Sequence, residues 1–515
     1  MARRSDVGET VLLEIPLGRL IGLRKRDICE FRGIPFGKPA MGALRWRAPE
    51  PAEPWAGVRD ASHFGPLCPQ APTPFDSLIS RSLGAQSEDC LHLNVWTPGW
   101  EGKRHPVMVW IHGGAFVFGA GSQSIYNGAH LASRGVVVVT LNYRLGVFGF
   151  LTLEDMGSER AGGTGAEGLG DQLLALEWVK RNITAFGGDP ENVTVFGESA
   201  GAMSSAALLA SPLAKGLFHR AILQSGSAHV GRNSACSHRL YRALLDALSI
   251  SPGDYHRLLE LPFAALVKAQ VAVLAAAHDG KDLRKLGRLA FQPAIDNAFL
   301  PGRPIEALRR GSARGISLLC GTTQEEWKLF TALDPRRRMR SAADFEALLS
   351  RTVADGASRL RQAYSSGSSY ERFNAFMTDR LFAVPTARLL DAQSAFAQVF
   401  AYRFDWRSRL FGGIFGSCHA LELGFVFGTH ATGPASAFFG KGPAADRLAE
   451  SMMDCWTAFA RTGDPSTSTA GLWPCYNPES CATMIFGDGA PHVADGPHRD
   501  RINAWAGVSE TKLEF

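Results

Sequence analysis

A serine with a glycine two positions before it and another two positions after it stands where a predicted strand ends and a predicted helix begins. The segment Gly197–Gly201, which reads Gly-Glu-Ser-Ala-Gly, lies between the apolar run Val193–Phe196 and the helical run Ala202–Leu209. At so sharp a turn the serine backbone is strained, and side chains two residues before and after it would collide with the neighbouring strand and helix. The pattern predicts a strand–turn–helix elbow that presents Ser199 as a nucleophile at the end of a sheet.

Around this elbow, short runs of β-branched and aromatic residues alternate with helical stretches. Such alternation predicts an α/β fold with a mostly parallel central sheet and helices on both faces. The predicted buried strands are Leu91–Trp96, Val107–Ile111, Val136–Leu141, Val193–Phe196, Ile316–Cys320 and Gln398–Phe404. Two strands joined by a tight turn at Gly18 begin the chain, and the Pro- and Gly-rich segment from Gly33 to Trp55 predicts irregular, extended backbone.

Two stretches, approximately 237–288 and 341–397, are rich in Ala, Leu and Arg and carry no strand signal. They predict helical insertions that cap the sheet. The 515 residues contain no internal repeat and no low-complexity linker. We therefore expect a single domain over residues 1–515.

A second loop of small residues, His112–Phe116 (His-Gly-Gly-Ala-Phe), directly follows the predicted strand Val107–Ile111. Small residues let backbone N–H groups approach a developing alkoxide, and losing one such donor costs about 10²–10³ in rate. We place the oxyanion hole at Gly113, Gly114, Ala115 and Ala200. Of these four residues, we expect Gly114, Ala115 and Ala200 to supply the N–H donors.

The two loops and several other segments together resemble the type-B carboxylesterase and lipase family, whose members include the cholinesterases and bacterial para-nitrobenzyl esterases. The resemblance covers nearly the whole chain. Apart from the two loops, it is carried by Phe31–Pro39, Ser87–Trp96, Asn142–Arg144 and Phe186–Pro190. It implies the α/β-hydrolase fold and a Ser–Glu–His triad.

The resemblance also implies the two partners of Ser199. The family's acid lies in a Thr/Asn-x-Asp/Gln-Glu segment after a late strand, and Gly321–Trp327 (Gly-Thr-Thr-Gln-Glu-Glu-Trp) occupies that place. Aligning the glycine puts the acid at Glu326, with Glu325 as the rival, and Trp327 departs from the family's usual small residue.

The family's histidine precedes a Glu and an aromatic strand, which implies His419 as the base, with His430 as the alternative. The order Ser, Glu, His along the chain is that of the α/β-hydrolase fold. By the same resemblance, Glu198 and Ser225 are expected beside the triad as packing or hydrogen-bonding residues.

Composition excludes several other function classes. The net charge is +5 and no run of five Lys or Arg occurs, so we expect no nucleic-acid partner, and the arginine cluster 336–340 is interpreted as a solvated face. The longest apolar runs have strand length, far short of the ~20 residues that a membrane helix needs. Acidic residues interrupt the first 24 positions, which argues against a secretory signal and favours a cytoplasmic location.

No cofactor or metal is expected. The nine cysteines form no Cys-x-x-Cys pair, and Gly163–Gly168 matches G-x-G-x-x-G without a preceding predicted strand, so neither a zinc site nor a dinucleotide site is predicted. Cys68 and Cys90 flank a Pro- and Ser-rich excursion that a disulfide could close. The sequence does not decide whether that disulfide forms.

These patterns predict a bacterial serine carboxylesterase that forms an acyl-enzyme, as a monomer or small homo-oligomer. We expect small to medium neutral esters, because residues 69–86 contain Phe75 as their one aromatic residue and no Trp for a cation–π platform. Phe116, Phe118, Phe330 and Phe411 are candidates for the acyl pocket. The alternatives are a non-catalytic binding module and a hydrolase of thioesters, amides, carbamates or lipids.

Overall fold

The computed structural model of the protein describes residues 8–73, 84–153, 163–254, 256–279, 286–333, 341–353 and 357–514. The chain divides into two units. The first unit comprises Met1–Arg220 and Gly231–Arg303, and the second comprises Ala221–Val230 and Pro304–Phe515. Phe75 and the arginine cluster 336–340 lie outside the described residues, and the single domain over residues 1–515 stays a prediction.

The sheet of the first unit has antiparallel strands at one edge and parallel strands beside the elbow. Its strands are β1 (Glu9–Ile15), β2 (Gly18–Lys25), β3 (Ile28–Pro35), β4 (Val58–Asp60), β5 (His92–Thr97), β6 (His105–Ile111), β7 (Val137–Leu141) and β8 (Gly188–Glu198). Their order is β1-β2-β3-β5-β7-β6-β8, and β4 pairs with β2. In the parallel part, Val109 of β6 lies opposite Val139 on one side and Val195 on the other. These strands are buried, as their nearly continuous apolar runs predict.

In the second unit, two of the three pairings between the last four strands are parallel. The strands of this unit are β9 (Arg220–Gln224, which enters the unit at Ala221), β10 (Ser317–Thr323), β11 (Val399–Phe404), β12 (Ala482–Phe486) and β13 (His492–Asp495). The order is β9-β10-β11-β12-β13, with parallel pairing of β10 with β11 and of β11 with β12, and antiparallel pairing of β12 with β13. This pairing sets the carboxyl ends of β10 and β11 side by side, where the chain turns toward Glu326.

Helices follow the strands of the first unit and occupy most of the described part of 237–288. The α-helices are Ala129–Ala132, Gly146–Phe150, Glu167–Asn182, Ala200–Ala210, Ser234–Leu248, Arg257–Glu260 and Phe263–Asp279. Arg45 anchors this insertion, because its buried guanidinium donates to the carbonyl oxygens of Leu258 and Leu261 at 2.8 and 3.0 Å. The same guanidinium is ion-paired with Glu88 at 2.5 Å, so its charge is compensated.

The second unit holds the other helices: Pro304–Arg309, Lys328–Leu333, Ala342–Thr352, Ala357–Ala363, Ser369–Thr378, Val384–Ser394, Leu423–Val426, Ser436–Phe439, Pro443–Thr462 and Arg499–Asn503. A π-helical turn, Asp379–Ala383, connects two of them. The helices around residues 341–397 pack on a cluster that includes Trp327, Phe376 and Trp505, all buried. Trp327 is thus a core residue here, where relatives are expected to carry a small one.

Some strands carry no sequence signal that we recognised: β3, β4, β9, β12 and β13. The prediction of irregular backbone from Gly33 is wrong for Gly33–Pro35, which complete β3. The register of β3 against β5 shifts between Phe31 and Ile34, and Gly33 adopts φ 64° at this bulge while its N–H donates to Asn94 Oδ1. A bulge interrupts the alternation of apolar and polar residues, so the periodicity hides the strand.

Candidate active site

Ser199 occupies the elbow between β8 and the helix Ala200–Ala210, as the sequence predicts. Its φ and ψ are 54° and −122°, an unusual conformation for a residue with a Cβ. A Cβ on Gly201 would lie 2.0 Å from the carbonyl oxygen of Ile111, and one on Gly197 would lie 2.5 Å from the carbonyl carbon of Gly201. Both glycines are therefore required by close backbone approach. Ser199 itself is half-buried, so its side chain remains accessible.

The loop after β6 lies against this elbow. A Cβ on Gly113 would sit 3.2 Å from the Ser199 Cβ and 2.7 Å from the Glu198 carbonyl oxygen. Gly114 has φ 112°, and a Cβ there would collide with the Phe118 carbonyl oxygen at 1.9 Å. Gly114 and Ala115 are partly exposed, as Ser199 is, and Ala200 begins a helix whose first N–H groups have no intrahelical acceptor. The predicted oxyanion residues thus lie on the loop that contacts Ser199 through Gly113 and at the start of the helix that follows Ser199.

The side chain of His112 contacts this loop and holds it in place. Its Nδ1 lies 2.8 Å from the Gly113 carbonyl oxygen, and its ring stacks on Tyr143 at 4.4 Å, while the Tyr143 hydroxyl donates to the His112 carbonyl oxygen. Burial lowers the pKa of His112 to about 4, and the backbone hydrogen bond at Gly113 opposes this only in part. Since Nε2 is buried with no partner among the described residues, a proton there would lack an acceptor.

The neutral His112 predicts a loss of stability in mild acid. In the unfolded chain His112 binds a proton below pH 6.5, whereas in the folded chain it does so only below a pKa of about 4. The free energy of unfolding therefore falls as the pH is lowered through that window. The full loss from this group is about 3 kcal/mol. Urea unfolding at pH 7.5, 6 and 5 measures the part of this loss that occurs above pH 5, and His112→Asn, which can still donate to Gly113, is the control. An equally steep pH dependence in the variant would assign the effect to other groups.

In the second unit, Glu326 and His419 form a buried pair. His419 Nδ1 lies 2.7 Å from Glu326 Oε2, and the other carboxylate oxygen accepts the Thr323 N–H at 2.7 Å. The His419 N–H donates to the Glu326 carbonyl oxygen at 3.3 Å. Two rings face the imidazole, Phe330 at 5.3 Å and Phe382 at 5.0 Å. The carboxylate is fully buried, so both ends of the pair are held in place.

The rivals of this pair have other partners. Glu325 accepts the Ser417 N–H at 2.9 Å and is ion-paired with Lys328 and Arg407. His430 Nε2 lies 2.9 Å from Asp446 Oδ1, and its ring stacks on Phe425. The structure thus places Glu326, and not Glu325, against the imidazole of His419, while the alternative base His430 contacts Asp446.

Glu198 and Ser225 lie in different units. Glu198 is buried beside Gly113, whose Cβ position is 2.8 Å from Glu198 Oε2. Ser225 follows β9 and has a φ of 51°. Its N–H donates to the Gly321 carbonyl oxygen at 2.8 Å, and its Oγ lies 3.5 Å from Glu422 Oε1. Ser225 therefore ties β9 to the strand that leads to Glu326, which is a structural contact.

Two supporting residues escaped the sequence analysis. Thr323 supplies a main-chain donor to Glu326, and Phe382 reaches the imidazole from the π-helical turn Asp379–Ala383. A main-chain donor has no sequence signature, but π-turns are frequent at functional sites. Of the four phenylalanines expected near the acyl pocket, Phe330 lies against His419, Phe116 is fully buried in the core, Phe118 is half-buried, and Phe411 is 74% exposed.

Cys68 and Cys90 are both buried free thiols. The Cys68 Sγ accepts the Leu145 N–H at 3.2 Å. Hydrogen bonding to Cys68 and burial raise the pKa of Cys90 well above its usual value. Within the described ranges, no group of three or more His, Cys, Asp or Glu could hold a metal ion, and no helix is long and apolar enough to cross a bilayer.

Similarity to known proteins extends over almost the entire chain. The model of the carboxylesterase family matches residues 9–505. Para-nitrobenzyl esterase of Bacillus subtilis is 42% identical over 475 residues, covering 91% of this chain and 93% of that protein. Phenmedipham hydrolase of Pseudarthrobacter oxydans is 35% identical over 490 residues, covering 93% and 95%. The solved structure of a thermophilic para-nitrobenzyl esterase superposes with a TM-score of 0.86 at 39% identity, covering 96% and 99% of the two chains.

Proposed function

Because the chain belongs to the carboxylesterase family and has the α/β-hydrolase fold, it is a carboxylic ester hydrolase, and we propose that Ser199, His419 and Glu326 are its catalytic triad. The observation that carries the assignment is the 2.7 Å contact between His419 Nδ1 and the buried Glu326 carboxylate. A triad needs a base that a third group orients, and this pair has that geometry.

In the proposed mechanism, His419 accepts the Ser199 proton through Nε2 as Ser199 Oγ attacks the ester carbonyl carbon. The N–H groups of Gly114, Ala115 and Ala200 stabilise the resulting oxyanion. Gly113 has no side chain, which lets the loop approach Glu198 and Ser199 closely. The imidazolium then protonates the departing alcohol, which leaves an acyl-enzyme on Ser199. Water, deprotonated by His419, releases the carboxylic acid and restores the serine.

Glu326 fixes the tautomer of His419 in this scheme. Since its Oε2 receives the Nδ1–H, the proton-accepting nitrogen is Nε2, and the carboxylate stabilises the imidazolium that forms. The rings of Phe330 and Phe382 limit rotation of the imidazole. The hydrogen bond from Thr323 N–H keeps the carboxylate from rotating away.

We further propose small to medium neutral esters as substrates. Residues 69–86 contain no Trp that could form a cation–π platform, and the phenylalanine beside His419 offers an apolar surface instead. Hydrolysis of a neutral ester and its quaternary ammonium analogue, matched in length, tests this directly. A preference for the quaternary ester would contradict the proposal, and a panel of thioesters, carbamates and long-chain esters separates the remaining acyl-transfer alternatives.

Covalent labelling tests the nucleophile. A fluorophosphonate should modify the protein with a stoichiometry of about one, and peptide mass spectrometry should find the adduct on Ser199, because oxyanion donors favour the tetrahedral phosphonate as they favour the transition state. Denatured protein is the control. No labelling of the folded protein, together with no hydrolysis of para-nitrophenyl esters, would favour the non-catalytic binding module, and an adduct on another serine would sink the assignment of Ser199.

We also propose a bacterial, cytoplasmic enzyme, a location that fits nine cysteines held as free thiols. Cell fractionation of the native host tests the location. An active enzyme recovered only from the extracellular medium would contradict it. The oligomeric state, monomer or small homo-oligomer, stays a prediction that light scattering can test.

A further inference from the structure

We propose that Glu325 is a positioning residue for the reaction: its carboxylate holds the main chain at Gly416–Ser417 and so fixes the imidazole of His419 against Glu326. The inference rests on the proposed role of His419 as the base. In this proposal the two consecutive glutamates both position His419: Glu326 orients the imidazole ring, and Glu325 fixes the backbone that carries it.

The first observation is a pair of hydrogen bonds between Glu325 and Ser417. The Ser417 N–H donates to Glu325 Oε2 at 2.9 Å, and the Glu325 N–H donates to the Ser417 carbonyl oxygen at 2.8 Å. Two residues further along, the His419 N–H donates to the Glu326 carbonyl oxygen. The segment before the imidazole is therefore attached to the Glu325–Glu326 dipeptide at three points, and one of them is a side-chain carboxylate.

The second observation is the charge around this carboxylate. Lys328 Nζ lies 2.6 Å from Glu325 Oε1, and Arg407 Nη2 lies 3.2 Å from Glu325 Oε2. Glu325 is 21% exposed and Lys328 15%, so the first pair is partly screened from water, while Arg407 at 53% contributes less. Both oxygens of Glu325 are thus occupied, which keeps the acceptor aimed at Ser417.

The third observation is a glycine at the contact. Gly416 adopts φ 57°, and a Cβ there would lie 2.2 Å from Glu325 Oε2. The loop can approach the carboxylate this closely because position 416 has no side chain. On its other side the Ser417 hydroxyl donates to the Phe404 carbonyl oxygen at 2.6 Å, which ties the same residue to the end of β11.

A catalytic consequence follows from the geometry. General-base catalysis requires the imidazole within hydrogen-bond reach of the proton that it accepts, and a displacement of about 1 Å can cost on the order of 10² in rate. The Glu326 carboxylate constrains one ring nitrogen, and the Glu325 carboxylate adds a charged acceptor to the main-chain hydrogen bonds that hold the loop. Removing the Glu325 anchor should therefore slow chemistry and leave ground-state binding of the ester unchanged.

The test compares Glu325→Met with Glu325→Gln, two variants of similar shape that differ in the side-chain acceptor. Active sites are counted by fluorophosphonate titration, and folding is checked by circular dichroism. We expect kcat per active site to fall about 10- to 100-fold in Glu325→Met with KM within about twofold, whereas Glu325→Gln, which can still accept from Ser417, recovers most of the rate. Glu325→Ala replaces the Met variant if that one does not fold.

The matched control is Glu346→Met, which removes an ion pair with Arg361 in the same unit, and we expect no change in its kcat. An unchanged kcat per active site in Glu325→Met, or equal losses in Glu325→Met and Glu325→Gln, would overturn the positioning role. This failure is distinct from failure of the triad. If His419→Ala retained wild-type kcat, the base assignment itself would be wrong, whatever Glu325 does.

Discussion

Replacing Ser199 by alanine is expected to lower kcat for para-nitrophenyl acetate by about 10⁶-fold, the order of loss seen when a triad nucleophile is removed. The substitution deletes Oγ and keeps Cβ, so the strained conformation at φ 54° is no more costly for alanine than for serine. The variant should fold and should bind esters with unchanged affinity. Its residual rate would come from the oxyanion donors and from binding alone.

The measurement is the initial hydrolysis rate per mole of folded protein, with fluorophosphonate titration to exclude contaminating wild type. Ser205→Ala is the matched control, because Ser205 is a buried serine on the helix that follows the elbow and its hydroxyl donates only to the Gly201 carbonyl oxygen. We expect less than a threefold effect there, in line with the small net worth of one such hydrogen bond. Wild-type rates in Ser199→Ala would show that another residue attacks the ester.

Replacing Glu326 by glutamine is expected to lower kcat by about 10³- to 10⁴-fold, similar to the effect of an amide in the acid position of a serine protease. The physical reason is that the carboxylate accepts two hydrogen bonds, from His419 Nδ1 and from Thr323 N–H. A glutamine has one oxygen. If it faces Thr323, its NH₂ group faces Nδ1 and selects the wrong tautomer, and if it faces His419, two donors oppose each other at Thr323.

The two glutamates give opposite expectations, which makes the comparison decisive. Glu325→Gln should keep most of the wild-type kcat, since an amide oxygen can still accept from Ser417. Measuring kcat and KM for both variants on one ester therefore ranks the two acid candidates. A larger loss in Glu325→Gln than in Glu326→Gln would reverse the assignment of the triad acid.

The strand–turn–helix elbow was predictable because its cause is local. Gly197 and Gly201 are required by contacts within a few residues of Ser199 and with the end of β6, and such constraints leave fixed spacings in the sequence. The same holds for Gly113 and Gly114, whose close approaches involve Glu198 and Phe118. The parallel strands β6, β7 and β8 were predictable for a related reason, since burial on both faces produces continuous apolar runs.

Other elements were missed because their cause is not local. β4 is a strand of three exposed residues that exists through its pairing with β2, and no apolar pattern marks it. β12 is a five-residue apolar run whose identity as a strand depends on a parallel neighbour, β11, distant in sequence. The π-helical turn that carries Phe382 lies in the same buried cluster as Trp327, and this contact joins residues more than fifty positions apart.

The sequence by itself determined the family, and it predicted the nucleophile and the order Ser, Glu, His along the chain. The reason is that close backbone approaches exclude side chains at fixed positions, which leaves glycines at fixed spacings in the motifs. Only the tertiary structure distinguishes Glu325 from Glu326, through the groups that each carboxylate contacts. The two residues are chemically identical and adjacent, and their contacts differ: one carboxylate is buried against an imidazole from 93 residues away, while the other accepts a main-chain N–H and pairs with two cations. Long-range contacts of this kind depend on where the chain returns, and that is set by the packing of the whole unit.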